Sequence, residues 1–347
     1  VYDIFKVGGF TMTTRNKTID LLKGVLVFLV IWGHVIQCST NGMFDFYLNS
    51  IYKFIYSFHM PAFMLISGYL YYYSEQNKNL KTILLRKLKQ LLIPIISWGF
   101  IFYIFLHITN INDFSLRTCF EAPWFLWSTL CSSLILILSN KLFKGKYKFL
   151  FYILFIPITL LFPNRNLNIF MYPYFLIGYV FRKYYNKNNK LVGFLSCIVY
   201  FIMLPFFDKK YYIYTTGINF FNSYIKGFIT VDMFRWVLGL TGSIVFILFL
   251  KLIYKYLKGL KIINFIIKIG NYPLHFYLIQ QVIISFGYNY LYQIICNRLG
   301  FNPFFPNQFL YNWFFTPILS IIFLLLMYKM IKWFEKNNTL NILLFGK

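Results

Sequence analysis

Charged residues are scarce in this sequence. Asp, Glu, Lys and Arg make up 12% of its 347 residues, whereas an average soluble domain has roughly 25%. Hydrophobic residues reach 59%, and a soluble fold cannot cover its surface with so few charges. The shortage excludes a soluble domain and indicates a membrane protein. The aromatic content of 23% suits this class, because aromatic rings lie in the bilayer core or at the headgroup level.

Acidic residues are the rarest of the charged ones. The chain has 9 of them against 34 Lys and Arg, which gives a net charge of +25. On a soluble protein this balance would indicate a nucleic-acid partner. Here the basic residues cluster in short segments between apolar runs. Every second segment is rich in Lys and Arg, as the positive-inside rule describes. The distribution excludes nucleic acid as a partner and indicates the lipid bilayer.

Cysteine is also infrequent, and its spacing predicts no metal site. The five cysteines form no CxxC pair and no zinc-like pattern with histidine. Cys131 and Cys197 fall inside apolar runs, where cysteine behaves as a small hydrophobic residue. Cys38, Cys119 and Cys296 fall at or beyond predicted outer helix ends. A disulfide among these three stays open, and the sequence does not choose a pair.

No small-residue cleavage site comes after the first apolar run, so no cleavable signal peptide is predicted. Residues 1–11 differ in character from the rest of the chain, and we interpret them as an N-terminal extension before Met12. Residues 12–337 are predicted to form one integral-membrane domain, and residues 338–347 a cytoplasmic tail.

Apolar runs of membrane-spanning length are the main evidence in the sequence for the fold class. Several are interrupted by proline, which membrane helices tolerate because neighbouring groups satisfy the freed carbonyl. The runs predict an all-α, polytopic integral membrane bundle of about ten transmembrane helices. They lie at residues 21–40, 51–73, 91–109, 124–140, 149–163, 167–181, 191–207, 229–250, 270–290 and 313–334.

The distribution of Lys and Arg predicts the orientation of this bundle. With the N-terminus inside, the six inner segments hold 26 of the 34 basic residues, which is the bias that cytoplasmic loops carry. An odd number of helices would break the alternation between segments that are rich and segments that are poor in Lys and Arg. We therefore predict ten crossings with both termini in the cytoplasm, in a plasma-membrane protein.

One ionisable residue lies deep in the first run. Lys23 and His34 are eleven residues apart, which is almost three helical turns, so both point to the same side of the helix. The rise of about 16 Å places His34 beyond the middle of a hydrocarbon core about 30 Å thick. Ionisable groups at this depth usually have a function, and imidazole can take up a proton near neutral pH. The alternative is a histidine that only hydrogen-bonds a neighbouring helix.

Several short motifs succeed one another along the chain. The first run reads IDLLKG at residues 19–24 and GH at 33–34, and the second reads FHMPAFMLISGYL at 58–70. Arg86 and Lys89 precede a Leu-Ile-Pro sequence at 92–94. The remaining motifs are PWFL at 123–126, YFLIGY at 174–179 with Arg182 after it, and IGNYPLHFYLIQ at 269–280.

These motifs, in this order, resemble those of acyltransferase family 3, integral-membrane acyltransferases that modify cell-surface glycans. The family signature of a basic residue, ten residues and a histidine corresponds to Lys23 and His34. The resemblance covers nearly the whole chain and is greatest for the fucose 4-O-acetylase-like branch. Three positions depart from the pattern: Lys89 stands where Arg is usual, Asn271 where Lys is common, and Gln280 where His is common.

The resemblance implies a transferase that takes an acyl group, with acetyl the favoured one, from cytoplasmic acyl-CoA and passes it to a glycan hydroxyl. Acyl-CoA (acetyl-CoA) is then a co-substrate, and no bound cofactor is expected. His34 is the predicted general base. The phosphates of CoA bind Arg and Lys, which predicts Arg15, Lys23, Arg86 and Lys89 as donor-binding residues. The predicted substrate-binding or structural residues are Asp20, His59, Pro61, Ser67, Gly68 and Trp124.

Other interpretations of the same residues stay open. Arg86 and Lys89 also fit simple positive-inside topology, the Ser67-Gly68 pair fits close helix packing, and Trp124 fits an aromatic belt. For the whole chain, the alternatives are a transporter or flippase for a polar or glycolipid substrate, and a translocator that passes the acyl group to a partner enzyme.

Overall fold

The computed structural model describes residues 2–7, 10–40, 45–76, 79–108, 115–143, 145, 148–184, 190–218, 225–300 and 308–346. Nearly all of them are helical, as the sequence predicts. The exception is an antiparallel pair of strands, β1 at Tyr2–Val7 and β2 at Phe10–Arg15. This pair contains most of the segment that we interpret as an N-terminal extension.

Seventeen α-helices occur among the described residues, and three pairs of them are joined by π-helical turns. The α-helices are α1 Lys17–Cys38, α2 Ser50–Glu75, α3 Leu80–Lys87, α4 Ile93–Ile108, α5 Leu116–Glu121, α6 Trp124–Leu142, α7 Lys148–Leu154, α8 Arg165–Tyr184, α9 Lys190–Met203, α10 Ile213–Thr216, α11 Ile225–Leu257, α12 Lys261–Ile269, α13 Pro273–Gln280, α14 Asn289–Leu299, α15 Gln308–Leu310, α16 Thr316–Phe334 and α17 Asn338–Phe345. The π-helical turns are Leu88–Leu92, Gln281–Tyr288 and Tyr311–Phe315, and the 3-10 turns are Phe46–Leu48, Ile156–Leu161, Leu204–Phe206 and Lys209–Tyr211.

Five helical stretches in the described part of the chain are long and apolar enough to cross a membrane. Each of the ten predicted runs overlaps a helical stretch, but the number of crossings and the N-in/C-in orientation stay predictions. The five stretches are Lys17–Cys38, Leu80–Ile108, Trp124–Leu142, Thr230–Leu257 and Gln308–Phe334.

Helix α1 runs through the interior of the bundle. Its start is fixed by Asn16, whose side chain accepts a hydrogen bond of 3.2 Å from the Ile19 amide, as N-cap residues do. At its end the Ser39 hydroxyl donates to the Val35 carbonyl at 2.7 Å. Helices α2, α11, α12 and α16 all pack against α1. Most of its side chains are buried, as expected for a helix that is apolar on all sides.

Helices α2 and α8 approach each other through two glycines. A methyl group on Gly68 of α2 would overlap the Phe175 carbonyl of α8, and one on Gly178 of α8 would overlap the Leu65 carbonyl of α2. Small residues let helix backbones come this close in membranes. The structure therefore gives Gly68 the helix-packing role that the sequence leaves open.

Replacing Gly68 by alanine is expected to destabilise the protein by about 1–3 kcal/mol, because overpacking at a close helix contact forces backbone shifts. The thermal unfolding midpoint of the detergent-solubilised variant should fall below that of the parent. Gly259→Ala is the matched control, since a methyl group there meets no atom of the described residues within 4 Å. Equal midpoints for the two variants would contradict the contact.

Residues 338–345 of the predicted tail form helix α17, which packs against α4. The Ser97 hydroxyl donates to the Leu343 carbonyl at 2.5 Å, and the Trp98 indole donates to the Leu344 carbonyl at 2.9 Å. Phe345 is completely buried and stacks on His275, with 3.9 Å between the ring centroids.

All five cysteines carry free thiols. Cys38, Cys119 and Cys296 are buried, and the disulfide that the sequence leaves open does not form in this structure.

Candidate active site

Three adjoining cavities lie along helix α1. Lys23 lines the first, the inner cavity, of about 380 Å³. His34 lines both the second, the aromatic cavity, of about 210 Å³ and the third, the amide cavity, of about 420 Å³. Val30, Met60 and Tyr277 border both the inner and the aromatic cavity. Lys23 and His34 therefore face space inside the bundle, on the common side of α1 that their spacing predicts.

The inner cavity is mostly apolar, with Lys23 at its wall. The Lys23 ammonium lies 2.7 Å from a carboxylate oxygen of Asp20, one helical turn earlier. Lys23 is the one charged residue among the described residues that line this cavity. Ser67 of α2 lies on its wall as well. Asp20 thus balances the charge of Lys23 and fixes the position of its ammonium.

The aromatic cavity brings two histidines together. His59 is buried, and its Nδ1 lies 2.8 Å from the Ile55 carbonyl oxygen. Because a carbonyl only accepts, Nδ1 must carry the hydrogen, which leaves Nε2 of the neutral ring as an acceptor. The other polar and aromatic residues that line the cavity are Gln37, Tyr47, Tyr52, Tyr56, Trp124, Tyr214 and Tyr277.

The amide cavity has a different lining. Gln281 and Ser285 belong to the π-helical turn after α13, Gln37 belongs to the last turn of α1, and Thr40 follows that helix. Asn289 and Gln293 complete the polar wall, and no Asp, Glu, Lys or Arg lines it in the part of the chain that the structure describes. Such a wall can donate and accept hydrogen bonds but offers no net charge.

Three acids, Glu121, Asp208 and Asp232, do not line either of these two cavities. Glu121 pairs with Arg117 at 2.9 Å and Asp232 pairs with Arg235 at 2.7 Å. Asp208 caps its own turn by accepting a 2.7 Å hydrogen bond from the Lys209 amide. Among the described residues, the aromatic and amide cavities therefore contain histidine without a carboxylate.

Three more of the predicted site residues, Arg86, Lys89 and Pro61, do not line the three cavities. Arg86 donates through Nη2 to the Ser74 carbonyl at 2.7 Å, and Lys89 is exposed; neither lines the inner cavity. Pro61 packs against Gly239 of α11. The side chain of Arg15 lies outside the described residues. The proposed contacts of these basic residues with CoA phosphates stay predictions.

Tyr277 and Gln280 are candidate functional residues that sequence reasoning missed. Tyr277 lines both the inner and the aromatic cavity, and its hydroxyl accepts a 3.2 Å hydrogen bond from the Phe125 amide. Gln280 lines the inner cavity. Both belong to the motif at residues 269–280, where Gln280 stands out only as a departure from the family pattern. The motif could have indicated both positions, but not which cavity they face.

The matching family model covers nearly all of the residues around these cavities. It is described as "Acyltransferase domain" and matches residues 16–331, which include every residue that lines the three cavities except Phe345. No solved structure matches the chain.

Two curated relatives share the name nodulation protein NolL. The protein of Sinorhizobium fredii (strain NBRC 101917 / NGR234) is 34% identical over 190 residues, covering 48% of this chain and 49% of that protein. The protein of Mesorhizobium japonicum (strain LMG 29417 / CECT 9101 / MAFF 303099) is 27% identical over 191 residues, covering 51% of each. The chain spans about half the length of the curated relatives it matches.

Proposed function

This chain belongs to the acyltransferase domain family, and we propose that it is a membrane O-acyltransferase that moves an acetyl group from cytoplasmic acetyl-CoA to a hydroxyl of a cell-surface or exported glycan. The observation that carries the proposal is the position of His34. This histidine lines the aromatic and amide cavities, and the aromatic cavity adjoins the inner cavity that Lys23 lines. A proton acceptor thus lies where two substrates can meet.

His34 is the general base in this proposal. A sugar hydroxyl is too weak an acid to attack a thioester at neutral pH without one. As the hydroxyl oxygen bonds to the thioester carbonyl carbon, the imidazole of His34 takes the hydroxyl proton. The tetrahedral intermediate then collapses, the carbon–sulfur bond breaks, and the proton passes to the sulfur of CoA. The products are an O-acetyl ester and free CoA.

The inner cavity holds the acyl end of the donor in this proposal. Its apolar walls suit the acetyl group and the arm that carries it, and Lys23, which is paired with Asp20, lies on its wall. A developing oxyanion needs hydrogen-bond donors. The candidates are Ser67, which lines the inner cavity, and Trp124, which lines the aromatic cavity. Gly68 is a weaker candidate, because its amide lies within helix α2, where backbone amides already donate to carbonyls.

The aromatic and amide cavities hold the acceptor. The faces of sugar rings stack on aromatic side chains, and sugar hydroxyls bond to amides and hydroxyls in both directions. The amide cavity presents four side-chain amides and no described residue with a full charge, which favours a neutral sugar. Ten crossings with both termini in the cytoplasm would place these two cavities toward the outer face of the plasma membrane.

Trp124→Leu is expected to raise KM for the glycan about fivefold, which corresponds to the loss of about 1 kcal/mol of aromatic stacking. KM for acetyl-CoA should stay unchanged, because Trp124 lines the aromatic cavity and not the inner one. Initial rates at varied glycan and varied donor measure both constants. Trp333→Leu, at an exposed tryptophan elsewhere, should leave both constants at the parent values. A rise in the donor KM alone would contradict this placement of the acceptor.

Transfer of radiolabelled acetyl from acetyl-CoA tests the proposed function. The chain is reconstituted into nanodiscs with a panel of neutral and acidic oligosaccharides, and the label is followed into a product that mild base hydrolyses. We expect transfer to a neutral glycan. Absence of both transfer and acetyl-CoA binding, together with glycan movement across liposome membranes, would instead favour a transporter. Acetyl movement without any acceptor product would favour an acyl translocator.

A further inference from the structure

Gln280 is a buried polar residue that the proposed reaction does not use. It is the last residue of α13, its side chain lies on the wall of the inner cavity, and it is only 1% exposed. Neither its amide nitrogen nor its amide oxygen has a hydrogen-bond partner among the described residues. Since buried polar groups are almost always hydrogen-bonded, this amide has both a donor and an acceptor to offer to a molecule in the cavity.

Three other polar groups on the inner cavity are already engaged. Lys23 is paired with Asp20, and the Thr129 hydroxyl donates to the Phe125 carbonyl at 2.9 Å. The Tyr277 hydroxyl accepts a hydrogen bond from the Phe125 amide. Gln280 differs from these three because neither edge of its amide bonds to a described residue.

The surroundings of Gln280 restrict the chemistry of its ligand. The cavity walls are largely apolar, formed by residues such as Val27, Ile66 and Leu274. A ligand that fills this space needs an apolar chain with an isolated carbonyl or N–H group opposite Gln280. The arm of CoA is such a chain, because two secondary amides interrupt its methylene segments, and each amide carries one carbonyl and one N–H group.

We propose that Gln280 recognises an amide of the pantetheine arm of acyl-CoA. This inference rests on the proposed function and assigns the residue that holds the donor in place between the cytoplasm and His34. Gln280 is a binding and positioning residue here, and the thioester carbonyl is not its partner. Its removal therefore weakens donor binding and leaves the chemical step intact.

The test compares two donors in nanodiscs with the full chain. One is acetyl-CoA, and the other is an analogue in which ethylene units replace both amides of the arm. Gln280→Leu should raise KM for acetyl-CoA about tenfold, as expected when one hydrogen bond to a buried group is lost. KM for the analogue and kcat for both donors should change less than about twofold. Gln90→Leu, at another glutamine on the same cavity, is the matched control. Its effect on KM should differ far less between the two donors.

Folding is checked separately, because leucine in place of Gln280 removes a buried amide that has no hydrogen-bond partner in the described part of the chain. The thermal midpoint of Gln280→Leu in the absence of donor should equal or exceed that of the parent. Gln280→Glu, which keeps the shape but loses the N–H donor, provides a second variant and should also raise KM for acetyl-CoA selectively.

The outcomes separate this inference from the proposed function. If the parent transfers acetyl from neither donor, the proposed function fails. If the parent is active but Gln280→Leu changes KM equally for both donors, or for neither, the contact with the arm is wrong. A fall in kcat with an unchanged KM would place Gln280 at the reacting carbonyl and would also overturn the proposal.

Discussion

Replacing His34 by glutamine is expected to lower kcat for acyl transfer about 10³-fold, within the range of roughly 10²–10⁴ that general acid–base catalysis contributes. Glutamine fills a similar space and can hydrogen-bond the acceptor hydroxyl, but it cannot take up its proton. KM for both substrates should change little, because the inner cavity and most of the aromatic and amide cavities keep their walls.

His59→Gln is the control, since His59 lines the same aromatic cavity. We expect its effect to be at least about tenfold smaller, because His34 lines both the aromatic and the amide cavity, whereas His59 lines the aromatic cavity and not the amide cavity. The rate of the parent should fall as the pH drops through the pKa of the catalytic base, and this dependence should disappear in His34→Gln. Full activity of His34→Gln, with loss of activity in His59→Gln, would move the role of base to His59.

Replacing Arg235 by methionine is expected to destabilise the protein by about 3–5 kcal/mol, since it leaves the carboxylate of Asp232 buried without its partner. The two side chains are 1% and 3% exposed, and their nearest atoms are 2.7 Å apart. Arg235 also donates to the carbonyls of Tyr211 and Gly217, each at 2.9 Å. These bonds tie residues 209–217 to α11, and Tyr214 in that segment lines the aromatic cavity.

The unfolding midpoint in detergent measures this effect. Arg117→Met is the control, because Arg117 is 85% exposed in its pair with Glu121 and exposed pairs contribute at most about 1 kcal/mol. The double variant Asp232→Asn/Arg235→Met should recover part of the loss, since no charge is then left unpaired. In any folded fraction of Arg235→Met, KM for the glycan should rise more than KM for acetyl-CoA. A midpoint no lower than that of Arg117→Met would contradict the role of this buried pair.

Local features were predictable from the sequence because they depend on residues close together in the chain. Runs of apolar residues indicate helices that a bilayer can hold, and each predicted run overlaps a helical stretch of the structure. A separation of eleven residues places Lys23 and His34 on one side of a helix, and both do line adjoining cavities. The motifs indicated the acyltransferase family, which the match over residues 16–331 shows.

The tertiary structure alone decided which side chains meet. Apolar periodicity fixes the direction of a side chain on its own helix but not the neighbouring helix that it faces. The approach of Gly68 to Phe175 and the shared cavity of His34 and His59 depend on packing between distant segments. For the same reason, the sequence grouped Arg86 and Lys89 with Lys23, whereas packing leaves them off the inner cavity and places Gln280 on its wall.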